Sequence, residues 1–431
     1  MAVRVLVGAQ WGDEGKGKVV DYLGRDADVI ARFAGGPNAG HTVVIAGKKT
    51  ILHHIPCGIL SEKPLCLLGN GVVVDPSILL SEIASLEGGG VSTAGRILIS
   101  PRAHVILSTH RVLDRVSEES RGKAAIGTTG KGIGPAYGDK TLRRGVRIGD
   151  LLEADLLEER VRIEVDEMNR VLASRYGHAP VPLRDVLDEA KRAADALGDR
   201  VAETGAILRQ AIRDGRDVLL EGAQGTLLDL DHGTYPFATS SSATAGGACT
   251  GCGIGPTSID SVWGVAKAYA TRVGNGPFPT EMTGARGDEL REIGQEYGAT
   301  TGRPRRCGWF DAVAARYATD VNGLAALAIT KLDVLTGFDP IRLCVAYRID
   351  GKETREFPSS AAQLARAEAV YEDWPGWTDD LGAARTMDDL PKSAREYLER
   401  LVEVSGCPVA LVGVGADREQ TIVAAQEAAF R

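Results

Sequence analysis

The sequence has no run of about 18 apolar residues, the length that a membrane-spanning helix requires. Its first residues enter an apolar β-type segment at once and lack the pattern of a cleavable secretory signal. Cysteine is sparse, with seven residues in a chain of 431, and this odd number is typical of reduced thiols in the cytosol. The formal net charge of −8 argues against a general binder of nucleic acids or anionic membranes. We therefore expect a cytoplasmic protein whose partners include neither a membrane nor a nucleic-acid polymer.

Zinc ligands are also scarce. Cys249 and Cys252 form a C-x-x-C pair, but no second pair or nearby histidine completes a zinc site, so we interpret both as small residues of a glycine-rich segment. Linkers rich in proline or serine, internal repeats and low-complexity tracts are absent as well. Although length alone would allow roughly two or three domains, residues 1–431 are predicted to form a single domain.

Glycine, by contrast, is abundant, with 53 residues that often lie in short runs typical of ligand-binding loops. The most informative run is Gly12-Asp13-Glu14-Gly15-Lys16-Gly17-Lys18, which follows an apolar β-type segment and precedes a predicted helix from Lys16 to about Leu23. Its spacing matches G-x-x-x-x-G-K, in which backbone N–H groups cradle phosphate and the lysine neutralises charge. Strand, glycine loop and helix in this order predict a nucleotide-phosphate site.

Two residues depart from an ordinary phosphate loop. Val19 stands where a Ser or Thr hydroxyl would bind Mg²⁺, and Asp13 places a carboxylate inside the loop. A negative charge beside a triphosphate is unfavourable unless it binds a metal or has a chemical task. These two departures therefore favour an enzyme that transfers or cleaves the phosphate, rather than a simple nucleotide switch.

A second motif, Thr330-Lys331-Leu332-Asp333, ends another apolar segment. The carboxylate of Asp333 can accept hydrogen bonds from both N1–H and the 2-amino group of guanine, a donor pair that adenine lacks. The stem of Lys331 can lie along the plane of the base. Together with the glycine loop, this motif favours GTP over ATP.

Further loops offer groups for other ligands. Asn38, His41 and Thr42 lie in a glycine-rich loop, where the histidine could serve as a general acid. Residues 298–306 combine three arginines with hydroxyl groups and suit carboxylates or phosphate. Hydroxyl groups at 127–130 and 235–242 could bind a second phosphate, and Gln224 could read a base edge. These loops predict GTP, a second phosphorylated substrate and an anionic third reactant.

Apolar segments also predict the architecture. Residues 97–99, 218–220, 327–330 and 409–412 are typical of buried parallel strands, and 343–347 of a further strand toward an edge. Helical periodicity over about 151–215 predicts an insertion that covers the sheet. The charged region of about 352–400 is predicted to be a helix–loop elaboration. The expected fold class is α/β.

Taken together, the motifs resemble the adenylosuccinate synthetase family, whose members join IMP and L-aspartate at the expense of GTP in purine biosynthesis. The resemblance runs from Val5 to Arg418 and is carried by residues 10–18, 40–42, 127–137, 221–239, 298–309 and 330–335. It implies a P-loop-NTPase-like fold: a central, mostly parallel sheet flanked by helices, with helical and small β insertions. It also implies Mg²⁺ as cofactor, GTP as co-substrate and a homodimer. The products would be adenylosuccinate, GDP and phosphate, formed through 6-phosphoryl-IMP in the first committed step from IMP to AMP.

The resemblance implies residue roles as well. Asp13, His41 and Gln224 would be catalytic: Asp13 as the base at N1 of IMP, and His41 at the leaving oxygen of GDP. Mg²⁺ would bind Asp13 and the carbonyl of Gly40. GTP would bind Gly12, Asp13, Glu14, Gly15, Lys16, Gly17, Lys18, Gly40, His41, Thr42, Arg305, Lys331, Leu332, Asp333, Gly413, Val414 and Gly415. IMP and aspartate would bind Asn38, Ala39, Thr129, Gln224, Thr239, Ala299, Thr300, Thr301, Gly302, Arg303 and, from the neighbouring subunit, Arg143.

The chain departs from the family pattern in two loops. Ser242-Ala243 stands where an asparagine-containing pair is expected, and Ala416 where proline is usual. Two other protein classes are alternatives. A GTP-binding switch protein conflicts with Val19 and with the arginine-rich loop. A Rossmann dehydrogenase conflicts with the absence of G-x-G-x-x-G after the first strand.

Overall fold

The computed structural model describes residues 2–298 and 302–424, without the side chain of Lys123. The strands are β1 Val3–Gly8, β2 Val29–Arg32, β3 His41–Ile45, β4 Lys48–Leu52, β5 Leu65–Leu68, β6 Val73–Val74, β7 Ile97–Ile99, β8 His104–Val105, β9 Val218–Glu221, β10 Ser261–Lys267, β11 Ala270–Arg272, β12 Arg306–Gly308, β13 Phe310–Asp311, β14 Ala326–Thr330, β15 Ile341–Ile349, β16 Lys352–Thr354, β17 Glu368–Trp374, β18 Val409–Gly413 and β19 Thr421–Val423. The helices are α1 Lys16–Gly24, α2 Pro76–Gly88, α3 Ser108–Arg121, α4 Ile133–Leu142, α5 Ala154–Tyr176, α6 Leu183–Leu197, α7 Thr204–Arg213, α8 Gly246–Cys252, α9 Ala285–Ile293, α10 Ala312–Asn322, α11 Ala361–Leu364 and α12 Lys392–Ser405.

A nine-stranded sheet forms the centre, in the order β19-β18-β14-β10-β1-β9-β2-β5-β7. Its neighbouring strands are parallel, except that β19 runs antiparallel to β18 at one edge. Every residue of β2, β9, β14 and β18 is buried, as expected for parallel strands covered by helices on both faces. The α/β prediction with a mostly parallel sheet is therefore confirmed, and so are the predicted strands that became β7, β9, β14 and β18.

The helical insertion also forms as the periodicity predicts. α5 buries Leu157, Val161, Val165, Met168 and Leu172 along one face. α5 packs against α3 and α6, and α6 packs against α2. α7 belongs to the core that includes β1, β2 and β9. Among the described residues, no helix combines the length and the apolar character needed to cross a membrane.

The region that follows β14 differs from the prediction. The predicted strand at 343–347 exists as β15, but it belongs to a separate small sheet with β13, β16 and β17. Where the sequence predicts helix and loop, β17 pairs antiparallel with β15 over Glu368–Trp374. Its residues are mostly half-buried, and its apolar run Ala369-Val370-Tyr371 is flanked by Glu368 on one side and by Glu372 and Asp373 on the other. An apolar run of three residues between charged ones is too short to indicate a strand by its pattern.

Candidate functional site

The glycine loop lies at the carboxyl end of β1, near the middle of the central sheet, and leads into α1. Gly12, Asp13 and Gly15 have positive φ angles of 83°, 59° and 90°. The buried carboxylate of Glu14 holds this turn from inside. One of its oxygens accepts the N–H groups of Gln10 (3.1 Å) and Gly12 (2.9 Å), and the other accepts Lys16 Nζ at 2.5 Å. The loop therefore neutralises the charge of Lys16 internally.

The absence of a metal-binding hydroxyl has a packing reason. Val19 is buried among Leu6, Val20 and Ile30 in the core beneath α1. A hydroxyl at this position would have an apolar environment. Gly17 of α1 lies close to His41 and Thr42. A Cβ atom added to Gly17 would lie 3.0 Å from His41 Cβ and 3.2 Å from the carbonyl oxygen of Thr42. The glycine loop and the predicted His41 loop are thus in direct contact.

The lysine of the phosphate motif contacts the carboxyl end of β18. Lys18 Nζ donates to the carbonyl oxygens of Gly415 and Gln420, each at 2.7 Å. Burial lowers the pKa of Lys18 to about 8. The structure therefore joins the glycine loop to Gly413, Val414 and Gly415, which the sequence assigns to the same nucleotide.

Asp13 faces an arginine from the predicted anion loop. Arg305 Nε donates to Asp13 Oδ2 at 2.8 Å, and Arg305 Nη1 donates to the buried Glu296 at 2.6 Å. Glu296 also accepts Lys331 Nζ at 2.8 Å. Burial raises the pKa of Glu296, but the surrounding cations more than compensate and hold it well below its usual range. A continuous chain of charges therefore runs from Asp13 to the Thr330–Asp333 motif.

Asp333 has the features of a recognition group. It lies in the 3₁₀ turn Leu332–Leu335 after β14, and burial raises the pKa of its carboxyl group. Its Oδ1 is buried without a hydrogen-bond partner among the described residues. A buried carboxylate oxygen without a donor is costly in free energy, so this atom is suited to a ligand that brings N–H groups.

His41 is the first residue of β3 and forms a buried pair with Glu221 at the end of β9. Nδ1 of His41 lies 2.5 Å from Oε1 of Glu221, and Oε2 of Glu221 accepts the N–H of Cys57 at 2.9 Å. Burial lowers the pKa of His41, and Glu221 opposes this only in part. Burial also raises the pKa of the Cys57 thiol well above its usual range. The pair fixes the imidazole with Nδ1–H on the carboxylate and leaves Nε2 for another partner.

A cavity of about 520 Å³ lies beside these loops and is lined by Asn38, Thr129, Gln224 and Thr239, all assigned to IMP. Oδ1 of Asn38 and Oγ1 of Thr128 are buried there without partners in the described part of the chain. Such unpaired polar atoms suit a polar ligand.

The cavity adjoins the glycine loop through Gln224-Gly225. A Cβ on Gly225 would lie 2.4 Å from Gln10 O and 2.6 Å from Gly12 N, so only glycine permits this contact. On the cavity side, Ser241 Oγ donates to Gln224 Oε1 at 3.3 Å and lies 3.3 Å from Thr239 Oγ1. Gln224 therefore stands between the predicted IMP site and the predicted phosphate site.

The remaining predicted site residues differ in their exposure and in their distance from the cavity. The guanidinium of Arg303 contacts the carbonyls of Gly127 and Thr128 at 3.4 and 3.3 Å, which brings the anion loop to the cavity rim. Gly302 is exposed, whereas Ala39 is buried. Gly40 and Thr42 are half-buried beside His41, and Leu332 is buried beside Asp333. Ala299, Thr300 and Thr301 lie outside the described residues.

Arg143 is not among the residues that line the cavity. It is exposed after the end of α4, in a left-handed conformation with φ of 62°. Next to it, Leu142 is 61% exposed, unusually high for a large apolar side chain.

Sequence reasoning missed two carboxylates. Glu221 ends a buried strand three residues before Gln224, and a charged residue at the end of an apolar run was a usable signal. Glu296 has no such signal, because its partners Lys267, Lys331 and Arg305 come from separate elements.

Comparison with known proteins assigns the family. The family model "Adenylosuccinate synthetase" matches residues 5–422. A curated adenylosuccinate synthetase of Moorella thermoacetica is 54% identical over 423 residues, which cover 98% of this chain and 99% of that protein. The corresponding protein of Bifidobacterium adolescentis is 51% identical over 418 residues, covering 97% of each chain. The structure of fully ligated adenylosuccinate synthetase from Plasmodium falciparum superposes with a TM-score of 0.94 at 36% identity, covering 99% of this chain and 100% of that one. The chain therefore belongs to the adenylosuccinate synthetase family, the ligases that join IMP to aspartate at the expense of GTP.

Proposed function

We propose that this protein forms adenylosuccinate, GDP and phosphate from IMP, L-aspartate and GTP through 6-phosphoryl-IMP, the first committed step from IMP to AMP. O6 of IMP attacks the γ-phosphorus and displaces GDP, and the amine of aspartate then displaces phosphate at C6. Phosphorylation is needed because an oxo group is a poor leaving group. The supporting observation is that the cavity with the four predicted IMP residues adjoins the glycine loop through Gln224-Gly225.

Asp13 is proposed to be the base that removes the N1 proton of IMP. Its Oδ2 accepts Arg305 Nε at 2.8 Å, which fixes the orientation of the carboxylate. His41, oriented by Glu221, would stabilise or protonate the leaving oxygen of GDP through Nε2. Gln224 would hold the reacting base between the two sites. Catalysis would consist mainly of positioning and charge stabilisation.

The loop also suits Mg²⁺. Asp13 uses Oδ2 for Arg305, while no hydrogen bond to Oδ1 is found in the described part of the chain. A carboxylate oxygen and the carbonyl of Gly40 are hard ligands of the kind that Mg²⁺ prefers. When bound, Mg²⁺ would neutralise charge on the phosphates of GTP. This assignment would explain why Val19 can belong to the core.

For GTP, the phosphates would lie on residues 12–18 and 40–42 and beside Arg305. The guanine would lie at Lys331, Leu332 and Asp333, next to residues 413–415. The unpaired Oδ1 of Asp333 supports guanine over adenine because it can accept N–H groups. The contact between Lys18 and Gly415 supports a single nucleotide site at these loops.

For the other substrates, IMP would be held by Asn38, Ala39, Thr129, Gln224, Thr239 and Arg303. Ala299, Thr300, Thr301, Gly302 and Arg303 would hold aspartate through its carboxylates. The contact of Arg303 with residues 127–128 supports neighbouring IMP and aspartate sites.

The decisive test omits one substrate at a time. Adenylosuccinate should form only with GTP, IMP, aspartate and Mg²⁺ together, and GTP consumption should depend on both IMP and aspartate. GTP turnover that is unchanged without either one would instead support a GTP-binding switch protein.

A homodimer is proposed, in which Arg143 reaches IMP in the neighbouring subunit. Its exposure, next to the exposed Leu142, supports this. Arg143→Leu and Asp13→Ala should each be inactive, whereas dimers exchanged from an equal mixture should recover about a quarter of wild-type activity, since one site per mixed dimer is intact. Failure to recover activity after verified exchange of subunits would refute the shared site.

We also propose a cytoplasmic location for the protein and a single-domain organisation over residues 1–431. All seven cysteines are free, and most are buried, which supports a reducing compartment. The insertion of residues 151–215 and the elaboration of 352–400 would belong to the same domain, because α6 and α12 both contribute to cores shared with the central sheet.

A further inference from the structure

Glu296 collects an unusual set of donors. Its Oε1 accepts Lys267 Nζ and Lys331 Nζ, both at 2.8 Å, and the Tyr269 hydroxyl at 2.5 Å. Its Oε2 accepts Arg305 Nη1 at 2.6 Å. The carboxylate is 0% exposed, so water does not screen these charges. One buried carboxylate therefore holds three cations in place.

The backbone fixes Glu296 opposite Arg305. The N–H of Arg305 donates to the Glu296 carbonyl at 2.8 Å, and Tyr297 and Pro304 form the next bridge. The N–H of Glu296 is bound to the carbonyl of Arg291 at the end of α9. Because the side chains of Glu296 and Arg305 are also paired, the position of this guanidinium is defined from both the backbone and the side chain.

The cations held by Glu296 reach both ends of the proposed GTP site. Arg305 contacts Asp13 in the glycine loop, and Lys331 immediately precedes the turn that carries Asp333. Apart from Glu296, Lys331 Nζ has only the carbonyl of Gly294, at 2.6 Å, among its described hydrogen-bond partners. Removing the carboxylate would therefore loosen the phosphate end and the guanine end together.

We propose that Glu296 is a positioning residue for GTP, acting through Arg305 and Lys331; this inference rests on the proposed function. Arg305 is only 8% exposed and needs a permanent counter-ion. Asp13 cannot be that counter-ion throughout the reaction if it must also take a proton and hold the metal. With Glu296 in place, Asp13 is free to change partners while the guanidinium stays paired.

The test is Glu296→Gln, which keeps the shape and removes the charge. We expect kcat to fall and KM for GTP to rise, each by about tenfold, the size expected for lost hydrogen bonds to charged groups. KM for IMP should stay within about twofold, because none of the described side-chain partners of Glu296 lines the cavity. Glu289→Gln is the matched control: it removes an exposed carboxylate on α9 and should leave all constants unchanged.

An equal rise in KM for IMP, or a lower melting temperature with unchanged kinetics, would overturn the proposal and leave Glu296 a structural residue. If Glu296→Gln does not fold, Glu296→Asp decides, because it keeps the charge but is too short to reach Lys331 and Arg305 together. It should raise KM for GTP several-fold, and wild-type constants would overturn the proposal. Failure of the wild-type protein to form adenylosuccinate would instead refute the proposed function.

Discussion

Replacing Glu221 with Gln tests how the protein prepares His41 for catalysis. The carboxylate lies 2.5 Å from His41 Nδ1 and is fully buried. It fixes Nδ1–H and stabilises the imidazolium, the form in which Nε2 also carries a proton that it could donate to the leaving GDP oxygen. Glutamine has nearly the same shape but no charge, so the imidazolium loses its buried counter-ion, and an amide that donates to Nδ1 requires a neutral ring.

The expected fall in kcat of Glu221→Gln can be estimated from the geometry of the His41–Glu221 pair. A hydrogen bond to a charged group contributes about 1.5–3 kcal/mol. The pair is buried, so the upper half of this range applies, and about 2.3–3 kcal/mol corresponds to a roughly 50- to 150-fold fall in kcat. KM for IMP should change little, because Glu221 does not line the cavity. The defect should therefore lie in kcat.

The assay needs one structural precaution. Arg32 Nη1 lies 3.9 Å from Glu221 Oε1, and Arg32 is itself buried, so the variant leaves a buried cation with less compensation. Thermal unfolding should be recorded first, and rates measured well below the midpoint. Glu203→Gln, which removes an exposed carboxylate paired with Arg102, is the matched control.

A double-mutant cycle supplies the refuting result. If Glu221 acts through His41, then Glu221→Gln should add little to the defect of His41→Ala, because both changes remove the same function. Additive effects would show that Glu221 acts independently of His41. A near-normal kcat in Glu221→Gln would refute the proposed role of the pair.

Three other predictions concern the glycine loop and the base site. Asp13→Ala should abolish adenylosuccinate formation while IMP binding, measured by calorimetry, persists; near-normal turnover would exclude Asp13 as base and metal ligand. Asp333→Asn should raise KM for GTP by about tenfold or more through loss of the charged acceptor, and should shrink the preference for GTP over ITP, which lacks the 2-amino group; an unchanged GTP/ITP ratio would contradict the guanine contact. Burial lowers the pKa of Lys18 to about 8, and phosphate binds the protonated form, so GTP affinity should be full below that pH and should decline as pH rises through it. Titration of GTP binding from pH 6.5 to 9.5 in wild type and Lys18→Arg, whose charge persists in this range, checks the origin of that decline.

The sequence predicts local structure well wherever a pattern is continuous. The apolar runs of β9, β14 and β18 and the glycine loop before α1 are local features, and they form at the expected residues. β17 was missed because each of its faces carries a charged residue and none of its residues is fully buried. Periodicity indicates burial along a segment, but it carries little signal for a short strand of a small accessory sheet.

The pairs that define the site depend on strand order, which no local pattern encodes. Glu221 is 180 residues from His41 in sequence, and Arg305 is 292 residues from Asp13. They meet because β9 lies between β1 and β2, and because the segment after α9 returns to the carboxyl end of β1. The sequence of the loops could predict that His41, Asp13 and Arg305 belong to the site. Which side chain each of them pairs with could be read only from the three-dimensional structure.

The glycine loop illustrates what this arrangement adds. From the sequence, the G-x-x-x-x-G-K spacing predicts that Lys18 neutralises phosphate charge, and Asp13 is an unfavourable charge unless it binds a metal or has a chemical task. In the structure, Lys16 is paired with Glu14 and Asp13 with Arg305, while the hydrogen-bond partners of Lys18 in the described part of the chain are carbonyl oxygens. Lys18 is therefore the loop cation whose charge is least compensated and most available to a triphosphate. The carboxylate of Asp13 is tolerated because a permanently charged guanidinium faces it, so a group suited to base catalysis can stand inside a phosphate-binding loop.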